Sequence, residues 1–206
     1  MRKFIMAIIA LAMLLTTGTT VFAEADTEVS VFSRHVWRGT AGTSSISVQP
    51  QVTVPVTTNI GTTSVAVWGS IPITDAGGDT EYDFIVSQPV GEYGTVDITS
   101  YTFGNPLLEI DTHEIEVAFS TSYANVDLLL GRFVNGDRVK DDTYIELGTE
   151  FGEFDLAVGA GNGAYTVGGD FTLVNAALSV SNDDYGAALI YNPDSETTYF
   201  VVNTTW

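Results

Sequence analysis

The sequence predicts an all-β protein: a transmembrane antiparallel up-and-down β-barrel of 12 strands. Three observations carry that expectation. Apolar and polar residues alternate in segment after segment, the period-two signature of strands. The connections between those segments alternate between very short and longer. The chain also opens on the pattern of an export signal.

The start comes first. Arg2 and Lys3 precede the apolar run Phe4 to Leu15, and Val21 and Ala23 stand at the small-residue positions before Glu24. This is the layout of a secretory signal peptide. The apolar run is too short for a helical span, which needs about 20 residues. Residues 1–23 are therefore expected to be removed by cleavage near Ala23, and residues 24–206 to form one outer-membrane β-barrel domain. The destination is the cell outer membrane of a Gram-negative bacterium.

Strands are expected at Thr27–Trp37, Ser45–Thr58, Thr62–Ile73, Thr80–Val90, Thr95–Phe103, Thr112–Tyr123, Val126–Val134, Thr143–Phe151, Phe154–Ala160, Asp170–Ser181, Tyr185–Tyr191 and Thr197–Trp206. The short connections are Asn59–Gly61, Gly91–Gly94, Ala124–Asn125, Gly152–Glu153 and Asn182–Asp184. The longer ones are Arg38–Ser44, Thr74–Asp79, Gly104–Asp111, Asn135–Asp142, Gly161–Gly169 and Asn192–Glu196. Outer-membrane barrels place tight turns on the periplasmic side and longer loops outside, with an even strand number. Both termini then lie on the periplasmic side.

The two faces of each strand differ in kind. Ile115, Val117, Phe119 and Tyr123 oppose Glu114, Glu116, Ser120 and Ser122. Ile145, Leu147 and Phe151 oppose Tyr144, Glu146, Gly148 and Glu150. Tyr82, Phe84 and Val86 oppose Glu81 and Asp83. In lipid, strands satisfy every backbone group only as a closed barrel. Alternation alone also fits a soluble β-sandwich with its polar face outside. The export signal, the loop rhythm and the end of the chain separate the two. Aromatics such as Trp37, Tyr123, Phe151, Phe154, Tyr185 and Trp206 fall near strand ends, as interfacial girdles require.

The last strand, YFVVNTTW, alternates up to Trp206. It is expected to close the barrel against the first strand, with Trp206 at the periplasmic interface. It also resembles the C-terminal signal that such barrels present to the barrel assembly machinery. Pro50 and Pro55 weaken the second strand, because each costs a ladder hydrogen bond or forces a bulge. If they break it, ten strands is the fallback.

Composition excludes several classes of function. There is no cysteine, so disulfide frameworks, thiolate zinc sites and iron–sulfur clusters are out. Without residues 1–23, five Lys and Arg face 26 Asp and Glu, a net charge of −21. Nucleic acid is not an expected partner, since too few cations remain to displace its counterions. The expected partners are outer-membrane lipid and small solutes or cations.

A family resemblance enters on several short stretches. Ser33 to Gly39 (SRHVWRG), Gly61 to Ser70 (GTTSVAVWGS), Glu81 to Asp83 (EYD), Asp111 to Glu114 (DTHE), Thr143 to Glu146 (TYIE) and the terminal aromatic strand occur in this order. Together they resemble the TorF-type porin family of small outer-membrane barrels. The proline-bearing second strand, the short loops and the acidic balance depart from that pattern. The resemblance implies a barrel and a pore; it brings no substrate and no catalytic residues.

The candidate site is the lumen. Asp83, Glu114, Glu116, Glu146, Glu150 and Asp155 are expected to line it, and Asp170 is a further inward carboxylate. Rings of acidic side chains favour cations. Arg34, inward with Ser30 and Phe32, is the basic group expected to pair with them. The functional reading is a small cation-preferring porin for passive passage of small solutes. The alternatives are a structural or adhesive barrel with a filled lumen, and an outer-membrane enzyme using the loop rim.

For the enzyme, His35 and His113 are the candidates, with Glu109, Asp111 and Glu114 near His113; no enzyme is expected. Asn135–Asp142 offers oxygen ligands without EF-hand spacing, and reads as a solvated charged loop. Gly159–Gly163 is followed by no helix that could hold an anion, and reads as a strand end. No cofactor, metal or catalytic residue is expected.

Overall fold

The computed structural model describes residues 21–22, 24–58, 61–74, 78–104 and 113–206. The signal-peptide reading therefore lies outside the described residues, apart from Val21 and Phe22. These two pair with Thr57 and Val56, alongside the end of the second long strand.

Twelve long strands run antiparallel. They are β1 (Asp26–Phe32), β2 (Ser47–Thr58), β3 (Gly61–Pro72), β4 (Glu81–Pro89), β5 (Thr95–Phe103), β6 (Glu114–Tyr123), β7 (Val126–Asn135), β8 (Thr143–Phe151), β9 (Phe154–Gly161), β10 (Thr172–Ser181), β11 (Tyr185–Asn192) and β12 (Thr197–Thr205). Each pairs with its neighbours in sequence, and β12 returns to β1, so the sheet closes into a 12-stranded barrel. Closure is completed by Trp206 and Val29, which exchange both backbone hydrogen bonds at 3.0 Å. No helix among the described residues is long and apolar enough to cross a membrane. Tight turns gather at one end and longer connections at the other. At the turn end, Ala124 and Asn125 both take positive φ, +49° and +67°. That is the requirement of a type I′ hairpin, whose twist matches that of the strands.

The barrel is inside-out relative to a soluble sandwich. Its exposed side chains include Val52, Val67, Phe84, Leu130, Leu147, Leu156, Val158, Leu173, Leu189 and Phe200. Its buried ones include Ser30, Ser47, Gln49, Asp83, Glu114, Glu116, Asn175 and Asn192. An apolar outer face with a polar interior suits strands surrounded by lipid. It would be unfavourable in water. Aromatics at the turn end, Tyr123, Phe151, Tyr185 and Trp206, are all strongly exposed, as an interfacial girdle places them.

Pro50 and Pro55 do not break β2, and the ten-strand fallback is not needed. Between β2 and β3 the registered pairs run Ser47↔Pro72 and Val48↔Ile71, skip two positions, and resume in the same register at Gln51↔Trp68. The ladder thus gives way at Pro50, which has no N–H to offer, without a shift of register.

The first strand is shorter than expected. Its pattern predicts a strand to Trp37 and an external loop from Arg38. The structure ends β1 at Phe32 and turns the chain into the barrel, where Val36–Trp37 and Thr40–Ala41 form a small hairpin. Strand periodicity continues through Trp37 because the hairpin too is extended. The reason it turns inward is space. Twelve strands about 4.8 Å apart and tilted by about 40° leave roughly 24 Å between opposite backbones, more than two facing layers of side chains fill.

Candidate functional site in the barrel lumen

The inner hairpin brings Trp37 and Arg38 to the middle of the lumen. Trp37 packs against Tyr101, Tyr165 and Phe133, with ring centroids 5.5, 5.5 and 6.5 Å away. Tyr144 stacks at 5.1 Å on Tyr165. These rings, with Val139 and Val174, form the buried cluster of the molecule. Val174 reaches it because β10 bulges there: Gly159 faces Asn175 and the next pair is Ala160↔Leu173. A bulge of this kind re-aims a side chain.

Arg38 is held from every side. Its Nη1 donates to Glu116 Oε1 at 2.5 Å and to the Tyr165 hydroxyl at 2.7 Å, and its Nη2 donates to Glu116 Oε2 at 3.0 Å. The guanidinium lies over the Trp37 and Tyr144 rings, at 4.4 and 4.5 Å from their centroids. Desolvated cation–π contacts contribute about 2 kcal/mol or more. Burial alone would lower the Arg38 pKa, but the hydrogen bond and charge of Glu116 outweigh it, so the guanidinium titrates above its ordinary range. Burial raises the Tyr165 hydroxyl above its usual value, against the lowering effect of the Arg38 charge; this hydroxyl accepts from Arg38 and donates to Glu116 Oε1 at 3.3 Å.

Glycines make the seat for this layer. A methyl on Gly131 would lie 2.3 Å from Glu116 Oε1, and one on Gly159 would lie 2.0 Å from the Tyr144 hydroxyl. Gly39, at the tip of the hairpin, has φ +80° and no room for a side chain against the Val174 carbonyl. Its own carbonyl accepts from Asn192 Nδ2 at 3.1 Å.

The sequence-predicted residues fall into three groups. Glu116, Glu114, Asp83 and Glu146 gather around the hairpin. Glu116 holds Arg38. Glu114 Oε1 accepts from Arg138 at 2.8 Å. Glu146 Oε2 accepts from the Tyr144 hydroxyl at 2.5 Å and from Asn175 Nδ2 at 2.9 Å. Asp83 is buried, and its Oδ1 has no hydrogen-bond partner. Glu150 and Asp155 stand directly opposite each other near the turn end, both exposed. Asp170 is exposed in the connection before β10 and plays no part in this layer.

Arg34 differs from expectation. Its guanidinium lies 5.5 Å from the Tyr199 ring, and of the carboxylates expected to pair with it Glu116 is held by Arg38 and Glu114 by Arg138. Arg34 lies two residues past the end of β1, whereas Arg38 rides the hairpin to the centre. Alternation along a strand does not carry past the point where the chain leaves the wall. The aromatics Tyr101, Phe133, Tyr144 and Tyr165, the ligand Arg138 and the glycine seat were not read as functional from the sequence. One signal in the sequence points to them: inward glycines at 131 on β7 and at 159 and 161 on β9, the two strands that flank β8, leave space that a large group must fill.

The two histidines take separate places. His35 Nε2 lies 3.5 Å from Glu81 Oε2, and its ring packs 5.3 Å from that of Trp68. His113 Nδ1 lies 2.7 Å from Ser100 Oγ, while its Nε2 is buried without a partner. No carboxylate is hydrogen-bonded to either ring among the described residues, and Glu109 and Asp111 lie outside them. Residues 137–141 form a turn, where Asp141 accepts from Arg132 of β7 at 2.9 Å, and no group of metal-binding side chains occurs among the described residues.

The buried layer separates two clefts. One, of ≈ 410 Å³, opens toward the loop end and is lined by Asp79, Glu81, Glu114, Arg138 and the rings of Trp37 and Tyr101. The other, of ≈ 420 Å³, lies toward the turn end and is lined by Thr95, Ser120, Ser122, Asp127 and Glu146. Carboxylates therefore stand on both sides of the septum. Comparison with protein-family models, with curated proteins and with solved structures finds no match for this chain.

Proposed function

We propose that this chain is an outer-membrane channel for small cations, and that the Trp37–Arg38 hairpin holds its path shut in the conformation described. The observation that carries this reading is the carboxylate lining on both sides of the septum. A lumen that served only to be filled would gain nothing from acidic clefts above and below, whereas an acidic lining attracts cations and repels anions. The export pattern of residues 1–23 and the likeness to TorF-type porins belong to the same reading, with the turn end in the periplasm. The reading gives His35 and His113 no catalytic role.

The second reading is a structural barrel with a permanently filled lumen, favoured by the complete burial of Tyr144 and Val174 at the septum. Planar-bilayer recording of the refolded, detergent-purified chain under a salt gradient separates the two. The channel reading expects discrete steps with a cation-selective reversal potential. It further expects them to be larger or more frequent in Arg38→Ala, which frees the hairpin. Inserted barrels that pass no current in either protein would replace the channel with the structural reading.

A further inference from the structure

Four carboxylates lie inside the barrel on β4 and β6 at the level of the inner hairpin: Glu81, Asp83, Glu114 and Glu116. Three have a basic partner. His35 stands 3.5 Å from Glu81, Arg138 2.8 Å from Glu114 and Arg38 2.5 Å from Glu116. Asp83 has none among the described residues, although it is only 7 % exposed and its Oδ1 is fully enclosed without a hydrogen bond. A second enclosed oxygen without a partner, Ser70 Oγ, stands on the adjoining strand. Ser70 pairs with Glu81, and Asp83 pairs with Trp68. Ser70 and Asp83 are thus diagonal neighbours on the lumen face, a spacing of about 7–8 Å between Cα atoms. The ladder between β2 and β3 is interrupted beside Ser70, which leaves the local wall less tightly knit.

We propose that Asp83 and Ser70 form a binding site for a small monovalent cation, of the sodium or potassium kind, within the septum. The proposal rests on the channel reading and supplies it with an ion-binding position. A buried carboxylate without a countercharge is strongly unfavourable, and is relieved by taking up either a proton or a cation. A water molecule would meet the hydrogen-bonding need of Asp83 but not its charge; a cation meets both, and the Ser70 hydroxyl offers it a lone pair. Divalent ions fit less well. They take six or more oxygen ligands or a near-octahedral shell, and no group of three acidic or histidine side chains is placed to hold one among the described residues. One carboxylate, one hydroxyl and retained water suit an alkali cation.

The test is the urea unfolding midpoint of the refolded full-length mature chain in detergent. It compares KCl with N-methyl-D-glucamine chloride at equal ionic strength, the organic cation being too bulky to enter. The wild type is expected to be stabilised by potassium in a saturable way. At ten times the dissociation constant, the folded-to-unfolded ratio should rise about elevenfold. Asp83→Asn should unfold at the same midpoint in both salts, and Asp155→Asn should retain the full potassium effect. Equal midpoints for the wild type in the two salts, or a potassium effect that survives Asp83→Asn, would overturn the site. Should Asp83→Asn fail to refold, Ser70→Ala decides instead: a several-fold weaker potassium response supports the site, and an unchanged response removes it. Current recording stands apart from this readout. Potassium binding without current would retain the site and remove the channel; cation-selective current without potassium binding would do the reverse.

Discussion

The Arg38 guanidinium and the Glu116 carboxylate meet in a two-pronged ion pair, at 2.5 and 3.0 Å, between side chains that are 9 % and 2 % exposed. The pair ties the inner hairpin to the barrel wall at its most enclosed point. Each partner leaves the other stranded if it is removed, and that asymmetry sets the first prediction.

Arg38→Ala is expected to cost about 3–5 kcal/mol, because it leaves the Glu116 charge buried and uncompensated. The double variant Arg38→Met with Glu116→Gln should recover much of that loss, since an apolar stem and a neutral amide have no countercharge to lose. Urea unfolding by linear extrapolation measures both. A double variant no more stable than Arg38→Ala would refute the ion pair as the source of the effect.

Gly39→Ala should unseat the hairpin. The residue has φ +80°, and its new methyl would meet the Val174 carbonyl at 1.9 Å, backbone that has no freedom to swing away. Gly152→Ala is the control, with φ +66° but open space around it. The strain of a positive φ costs of order 1 kcal/mol in both, so the excess loss in Gly39→Ala reports the seat alone. Trp37 emission should move to longer wavelength in Gly39→Ala and stay put in Gly152→Ala.

Glu150 and Asp155 face each other across β8 and β9 with like charge. Glu150→Gln should therefore stabilise the barrel by about 0.2–1 kcal/mol. The gain should shrink as salt is raised, because the Debye length falls to about 3 Å at 1 M. On the channel reading the same substitution lowers cation preference at the turn end. Matched unfolding curves at low and high salt check the first effect, and reversal potentials the second. A gain that persists at high salt would point to packing instead of charge.

The seam between β12 and β1 holds three registered pairs, Asn203↔Phe32, Thr204↔Val31 and Thr205↔Ser30, against six or more at every other junction between consecutive long strands. The Val29–Trp206 exchange adds two backbone bonds to this short ladder, each contributing about 0.5–1.5 kcal/mol. Deleting Trp206 should cost about 1–3 kcal/mol on that basis. It should also increase the fraction that fails to refold, read on a gel that separates folded from unfolded barrels. Removal of Glu24, which has no part in the seam, should do neither.

The wall of this protein is legible in its residue order alone. A strand repeats every two residues, so Ile115, Val117 and Phe119 against Glu114 and Glu116 already separate a lipid-compatible face from a polar one, and turn residues such as Ala124 and Asn125 mark where the chain reverses. The strand count followed, and so did the inward placement of Asp83, Glu114, Glu116 and Glu146. What fills the wall was decided only in three dimensions. Between Phe32 and Ser47 the chain leaves the sheet and sends the hairpin of residues 36–41 into the lumen, and no local periodicity records a departure whose cause is empty space enclosed by strands far away in sequence. Arg38 therefore finds Glu116, Tyr165 and Tyr144 only once the barrel has closed. Asp83 is left without a countercharge for the same reason, because which cation reaches which carboxylate depends on contacts across the lumen and not on the order of residues along a strand.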